Sequence, residues 1–248
     1  MTKDLFSEHA EAYAKYRPVY PSQLFEYILG FVRERKAAWD CATGNGQAAS
    51  ILAGYFEKVT ATDISTEQLN NAIHKTNIKY IVARAEQTDF EDNSFDLITV
   101  AQAYHWLNWE QFYREATRVG KPSAVVAVWT YNLIRSQEEA LNCIIELFYR
   151  DITGPYWDSA RKYVEEEYRS LPFDFAPLPS KTFTIELTYT KDQFLGYLST
   201  WSGARSYYKQ TGKSPFPLIT EDLNRLWPGN EPKPFYFPVA LRMGRIIK

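Results

Sequence analysis

The sequence predicts a doubly wound α/β domain with a mostly parallel, seven-stranded sheet whose last strand runs antiparallel. Three observations carry this prediction. Short apolar segments at 37–41, 58–63, 79–83, 95–101 and 124–129 alternate with segments of helical periodicity, and parallel strands need such crossovers over both faces of the sheet. A glycine turn, Thr43-Gly44-Asn45-Gly46, lies where the first strand passes into its helix, the end of the sheet at which such folds bind ligands. Two further strand-like segments, 182–189 and 235–246, come late and flank a helical insert.

Taken in order, two helices precede the sheet. Leu5 to Tyr16 has apolar residues at helical spacing and stops at Arg17-Pro18, and Ser22 caps a second helix running to about Val32. Ala37 to Cys41 is the first strand, Gln47 to Phe56 a helix, Lys58 to Asp63 a strand, Glu67 to His74 a helix and Lys79 to Ala83 a strand. Phe95 to Ala101 is the fourth strand, Trp109 to Val119 its helix and Ala124 to Trp129 the fifth strand. Beyond Tyr131 the rhythm changes to a long amphipathic helix, Ser136 to Asp151, and then to an aromatic, Pro-dotted stretch through Pro179. Thr182 to Tyr189 and Phe235 to Ile246 are the late strands, and Pro238 places the last one at an edge or a bulge. The chain, 1–248, thus reads as one domain. Its core is about 35–131 plus the late strands at about 181–190 and 235–247, and its lid comes from about 1–22, 150–180 and 191–232.

The 28 basic and 30 acidic side chains leave a formal charge of -2. A nucleic-acid binder needs a phosphate-neutralising excess of Lys and Arg, so a small-molecule substrate is the expected partner and nucleic acid is not. No apolar run approaches the roughly 20 residues of a membrane span, and the N-terminus lacks a signal-peptide core; the chain reads as cytoplasmic, with no membrane partner. Cys41 and Cys143 are too few for a disulfide framework and fall in no zinc spacing. No histidine and carboxylate cluster suggests a metal.

The chemistry concentrates at the glycine turn. Glycines there let backbone N–H groups and a helix N-terminus approach a ligand closely. Asp63 closes the second strand, where a carboxylate can accept two hydrogen bonds from a ribose diol. Gly44-x-Gly46-x-x-Ala49 also fits the dinucleotide fingerprint, which keeps an NAD(P)-dependent oxidoreductase as an alternative. Asp40 argues against it, because a carboxylate four residues ahead of Gly44 repels a pyrophosphate and suits an ammonium group. S-adenosylmethionine has an amino acid end, a sulfonium and a ribose, and no phosphate.

Further pieces match a pattern. They are Tyr13-x-x-Tyr16-Arg17-Pro18-x-Tyr20-Pro21, Thr62-Asp63-Ile64-Ser65, Ala85-Glu86, and 93–100 running into Ala101-Gln102-Ala103-x-His105-Trp106. With the glycine turn, they make the chain resemble the class I S-adenosylmethionine-dependent methyltransferases, and among them the small-molecule group that includes trans-aconitate methyltransferase (methyltransferase type 11). The resemblance covers residues 1 to about 131 well and the remainder weakly. It implies a Rossmann-like fold, S-adenosyl-L-methionine as cofactor, and methyl transfer to a small-molecule acceptor at a carboxylate or other oxygen.

The resemblance also implies roles. Asp40, Ala42, Gly44 and Gly46 hold the methionine portion, Asp63 holds the ribose with Ile64 beside the adenine, and Ala85 and Glu86 line the adenine edge. Ala101 and Gln102 lie under the sulfonium. Arg17 clamps a carboxylate of the cofactor or of the substrate, and Tyr13 and Tyr20 cover the methyl donor; the other reading is that Arg17-Pro18 merely ends the first helix and Tyr20 packs. His105 is the candidate catalytic residue, taking an acceptor proton or orienting the substrate; its other reading is a hydrogen bond that fixes the loop. Tyr20, Trp106, Trp201 and Arg205 are the substrate candidates. Two departures stand out: Ala42 where the family usually has glycine, and Arg84 where a carboxylate is common, which shifts the adenine amino contact toward Glu86. They motivate a second alternative, a non-enzymatic S-adenosylmethionine-binding protein.

Overall fold

The computed structural model describes residues 15–248. The helix expected from Leu5 lies, except for its end, outside the described residues. Elements are numbered here in chain order. Helix α1 (Ser22–Leu29) buries Leu24, Phe25, Ile28 and Leu29. Ser22 is its first helical residue and not its cap: Pro21, in extended backbone, precedes it, and no side chain caps the helix.

Five parallel strands follow, β1 (Ala37–Cys41), β2 (Lys58–Asp63), β3 (Ile78–Val82), β4 (Phe95–Ala101) and β5 (Gly120–Tyr131). Between them lie α2 (Gln47–Leu52), α3 (Thr66–Asn70) and α4 (Trp109–Val119). The side chains of Ser65 and Asn108 accept the N–H groups of Gln68 and Gln111 and so start α3 and α4. After β5 come β6 (Arg135–Ser136), α5 (Glu139–Glu146), α6 (Arg161–Glu165), β7 (Ala176–Pro177) and β8 (Thr182–Tyr189). The chain ends with α7 (Lys191–Ser199), α8 (Ser202–Thr211), α9 (Pro217–Leu226) and β9 (Lys233–Arg245). The long helix expected to reach Asp151 instead widens after α5 into a π-helical turn, Leu147–Ile152.

Hydrogen bonding orders the sheet β3-β2-β1-β4-β5-β9, with β8 on the far side of β9. Strand β9 runs antiparallel to both neighbours. There are nine strands among the described residues where seven were expected, because β6 and β7 add two-residue pairings along β9. The seven principal strands form the Rossmann-like arrangement. Alternating side chains face opposite cores, as period-two backbone requires. Ala38, Leu97, Val125 and Ala127 join the core under α1 and α2, and Trp39, Ile98, Val126 and Val128 join the one under α4.

Pro238 lies in an interior strand, contrary to an edge, but at a bulge, as the alternative expectation had it: residues 132–134 stand opposite Phe237 and Pro238. Pairing with β5 stops at Tyr131 and Val239, and pairing with β6 resumes at Arg135 and Tyr236. The Pro238 carbonyl accepts the Asn132 N–H in that gap at 2.9 Å, so its ring nitrogen, on the same side, faces no ladder acceptor.

From β1 the chain steps outward to β2 and β3, then returns to the other side of β1 as β4. The crossovers diverge there and leave a crevice at the C-terminal ends of β1 and β4. At the opposite end Asp96 locks these strands together. Its carboxylate accepts the N–H groups of Lys36 and Ala37, at 3.0 and 2.9 Å, and pairs with Lys121 Nζ at 2.5 Å on β5. Asp96→Ala is therefore expected to lower the unfolding free energy by about 2 kcal/mol, the scale of a lost set of charged hydrogen bonds. Urea titration of the variant against wild type measures this.

Candidate active site

Three residues of the turn after β1 adopt left-handed backbone: Ala42 at φ 49°, Gly44 at 57° and Gly46 at 79°. This curls the turn so that its N–H groups are free to be anchored individually. Thr43 N–H goes to the Thr62 carbonyl at 2.9 Å, and Gly44 N–H goes to Asp63 Oδ2 at 2.8 Å. Asp63 Oδ1 accepts Ser65 N–H at 2.9 Å, so one carboxylate joins the glycine turn to the loop after β2. A Cβ on Gly44 would meet nothing nearer than Gln68 Oε1 at 3.8 Å, whereas one on Gly46 would lie 2.2 Å from the Tyr80 hydroxyl. Gly44 thus faces open space and Gly46 faces packing. At Ala42 the methyl group is carried in a conformation that costs an L-residue about 1–2 kcal/mol.

Asp40 was expected to touch a ligand. It is fully buried beneath the turn and lines no cavity. Its oxygens accept the hydroxyls of Thr43 and Thr99, the latter at 2.7 Å. Burial pushes its pKa up to about 6, against the lowering effect of the two hydroxyls. Its action on a ligand therefore passes through Thr43 and the shape of the turn.

The crevice holds a cavity of about 1070 Å³, open solvent at its mouth included. Ala42, Gly44, Asp63, Ile64, Ala85, Glu86, Ala101 and Gln102 line it, with Tyr20 and Trp106. Glu86 accepts Asn108 N–H at 3.0 Å and lies 3.5 Å from Arg84 Nε, so Arg84 leans on the carboxylate next to it. Among the described residues the lining contains two carboxylates, Asp63 and Glu86, and no Lys, Arg or His. These residues suit a cationic nucleoside better than a pyrophosphate.

A second cavity, of about 690 Å³, shares Gln102 and Trp106 with the first. Gln102 is a fixed partition. Its backbone is left-handed at φ 57°, its Oε1 accepts Tyr131 N–H at 3.1 Å and the Thr130 hydroxyl, and its Nε2 donates to the Tyr131 carbonyl at 3.2 Å. Arg17, His105, Tyr131, Trp157, Asp158, Arg161, Tyr197 and Trp201 are among the other walls. Arg17 donates to the Tyr131 hydroxyl at 2.7 Å and the Thr200 carbonyl at 3.1 Å, and lies 5.5 Å over the Tyr197 ring. Arg161 is gripped from one side: its Nε donates to the Tyr149 hydroxyl at 2.7 Å, and it stacks on Trp157 and Tyr149 at 5.0 and 5.2 Å. The π-helical turn presents Tyr149, whose hydroxyl also donates to Glu165 Oε1 at 2.7 Å. His105 Nδ1 lies 2.9 Å from the Tyr168 hydroxyl. Burial, and then the Arg161 charge, push the His105 pKa down to about 3, so the ring is neutral at pH 7.

The family described as the methyltransferase domain matches residues 39–128. A methyltransferase from Dictyostelium discoideum is 33% identical over 223 residues, covering 89% of this chain and 85% of that protein. The solved structure of a type II methyltransferase from Anaeromyxobacter dehalogenans superimposes with a TM-score of 0.86 at 37% identity, over 93% of this chain and 98% of that one. This chain belongs to the class I S-adenosylmethionine-dependent methyltransferases. The S-adenosylmethionine-dependent methyltransferase CRG1 of Saccharomyces cerevisiae is also similar, 25% identical across 87% of this chain and 85% of the yeast protein. An NAD(P)-dependent oxidoreductase is thereby excluded, in agreement with the cation-free lining of the first cavity.

The methyltransferase fold thus brings eight of the twelve expected cofactor residues to one cavity. Of the other four, Asp40 is beneath the turn, Gly46 is turned to Tyr80, Arg17 lines the second cavity, and Tyr13 lies outside the described residues. His105, Trp106 and Trp201 reach the second cavity, and Arg205, on α8, lines neither. Sequence reasoning missed Trp157 and Arg161. Their one signal was a cation set among the aromatic residues of a stretch that otherwise read as filler. The histidine has a measurable consequence. The unfolded chain, with a His pKa near 6.5, takes up a proton before the folded one does, so His105 removes stability as pH falls below 6.5. Going from about pH 7.5 to about pH 5.5 should cost wild type about 1.4 kcal/mol more than His105→Asn in urea titrations. Equal pH dependence would show a freely protonating ring.

Proposed function

We propose that this methyltransferase acts on a small-molecule acid held in the second cavity and methylates a carboxylate oxygen. The observation that carries the reading is the pair of guanidinium groups, Arg17 and Arg161, in a cavity that meets the cofactor cavity at Gln102 and Trp106. A guanidinium fork matches a carboxylate in two parallel hydrogen bonds. Arg161 is already oriented by Tyr149 and Trp157, which reduces the ordering that binding requires. The volume, and the walls of Trp157, Trp201, Tyr131 and Tyr197, suit a small molecule with an apolar body.

The residues of the first cavity fit S-adenosylmethionine. Gly44 leaves a cradle that a side chain would fill, and the carboxylates of Asp63 and Glu86 suit a cationic ligand. When bound, the cofactor supplies an electrophilic methyl group on a positively charged sulfur. Asp63, anchored by Gly44 and Ser65 at the cavity wall, is the acceptor for the ribose hydroxyls. Ile64 is 41% exposed at the strand end, an apolar surface for the adenine, with Ala85 and Glu86 at its edge. The glycine turn holds the amino acid end, and Ala101 and Gln102 lie under the reacting centre. Tyr20, buried edge-on against Trp129, completes the wall.

A carboxylate is ionised at neutral pH and needs no base. That agrees with His105, whose neutral ring is far too weak a base to take a proton from a phenol or an ammonium. His105 therefore orients the acceptor, and Arg17 and Arg161 hold its charge.

Three measurements test the reading. A coproduct assay for S-adenosylhomocysteine should register turnover with acids and not with phenols or amines; turnover confined to the latter would remove the assignment. Arg161→Ala should raise KM for the acid by about tenfold or more, with cofactor affinity unchanged. By calorimetry, Asp63→Ala should weaken S-adenosylhomocysteine binding by at least about tenfold, or about 1.4 kcal/mol; unaltered affinity would take the ribose contact from Asp63.

A further inference from the structure

A residue of the Pro-dotted segment, remote in sequence from every motif above, controls the imidazole in the second cavity. Tyr168 is 1% exposed and, with Glu167, adopts left-handed backbone at φ 60° and 55°. L-residues seldom take that conformation, and here it turns the Tyr168 ring inward. Arg242 on β9 clamps the segment by donating to the carbonyls of Tyr168 and Leu171. The ring meets Tyr104 edge-on, with centroids 5.8 Å apart, and lies 5.7 Å from the imidazole of His105.

The hydroxyl proton of Tyr168 is buried and needs an acceptor. Two oxygen or nitrogen acceptors lie near it: His105 Nδ1, at 2.9 Å, and the Thr130 oxygen, which gives its own proton to Gln102 Oε1 and keeps lone pairs. The 2.9 Å contact favours His105 Nδ1. A nitrogen that accepts cannot carry the ring proton, so that proton sits on Nε2. Nε2 has no hydrogen-bond partner among the described residues and is not shut away from solvent, and His105 lines the cavity. From this geometry we infer that Tyr168 is a positioning residue: its hydroxyl holds His105 in the Nε2-protonated tautomer, so that the ring presents a hydrogen-bond donor to the acceptor. A donor complements the two guanidinium groups around an anion. This use of the tautomer rests on the proposed acid acceptor; the tautomer itself does not.

The test is two-bond proton–nitrogen NMR on ring-¹⁵N-labelled protein near pH 7. The chain has three histidines, and His105→Gln identifies the signal. Wild type should show a protonated Nε2 and an unprotonated Nδ1. Tyr168→Phe, which keeps the ring and removes the hydroxyl, should give a mixture of tautomers. It should also lower kcat/KM for an acid acceptor about tenfold, mainly through KM, with cofactor affinity unchanged. A wild-type ring protonated on Nδ1, as follows if Tyr168 donates to Thr130, overturns the inference, and so does an unaltered tautomer in Tyr168→Phe. Should that variant not fold, the wild-type spectrum alone decides. The spectra need no acceptor, so a protonated Nε2 without turnover of any acid would count against the acid acceptor and leave the tautomer standing.

Discussion

The first cavity depends on one carboxylate. Asp63 takes the Gly44 N–H on one oxygen and the Ser65 N–H on the other, and so binds the turn after β1 to the loop after β2. Without it, two backbone donors lose their acceptor, and a turn with three left-handed residues loses its outer anchor. Its inner anchor is Asp40, held between Thr43 in the turn and Thr99 on the adjacent strand β4. Two carboxylates so close are in conflict, and Asp63 contributes to the raised pKa of Asp40. The arrangement persists because each is given donors of its own: hydroxyls for the buried one, peptide N–H groups for the one at the cavity wall.

The second cavity is built on a different plan. Its floor is the end of β4 and β5, but its side walls come from segments that follow β5 in the chain, through Trp157, Arg161, Tyr197 and Trp201. These are fixed by aromatic packing more than by backbone ladders. Tyr149, Trp157, Tyr197 and Trp201 form a connected set of tilted and edge-on rings, and the π-helical turn sets Tyr149 to hold Arg161. The first cavity is thus framed by the sheet and the second by side chains laid over it.

What could be read from the sequence divides along the same line. The turn at 43–46, Asp63 at a strand end and the run into Ala101 and Gln102 were legible because local backbone geometry demands those residue types. The inward burial of Asp40 was not, because it depends on Thr99, brought alongside by the pairing of β1 with β4. Pro238 signalled the irregularity but not which of edge or bulge it was, because whether a strand position faces a ladder or a gap is decided by where β5 ends, 107 residues earlier in the chain (Tyr131 against Pro238). Helix ends were overextended at α2 and α5, where packing, and the π turn after α5, set the limits. Arg161 and Trp157 had only the weak signal of a cation among aromatics, since their place beside Gln102 and His105 in one cavity exists only through tertiary packing.

The partition at Gln102 and Trp106 also separates two electrostatic environments, with Asp63 and Glu86 on one side and Arg17 and Arg161, beside the single carboxylate of Asp158, on the other. An anion straying into the donor compartment is repelled, and so is a sulfonium entering the opposite one. On the proposed reading, that difference in charge favours the sulfonium in the first chamber and the anion in the second, with no moving part required.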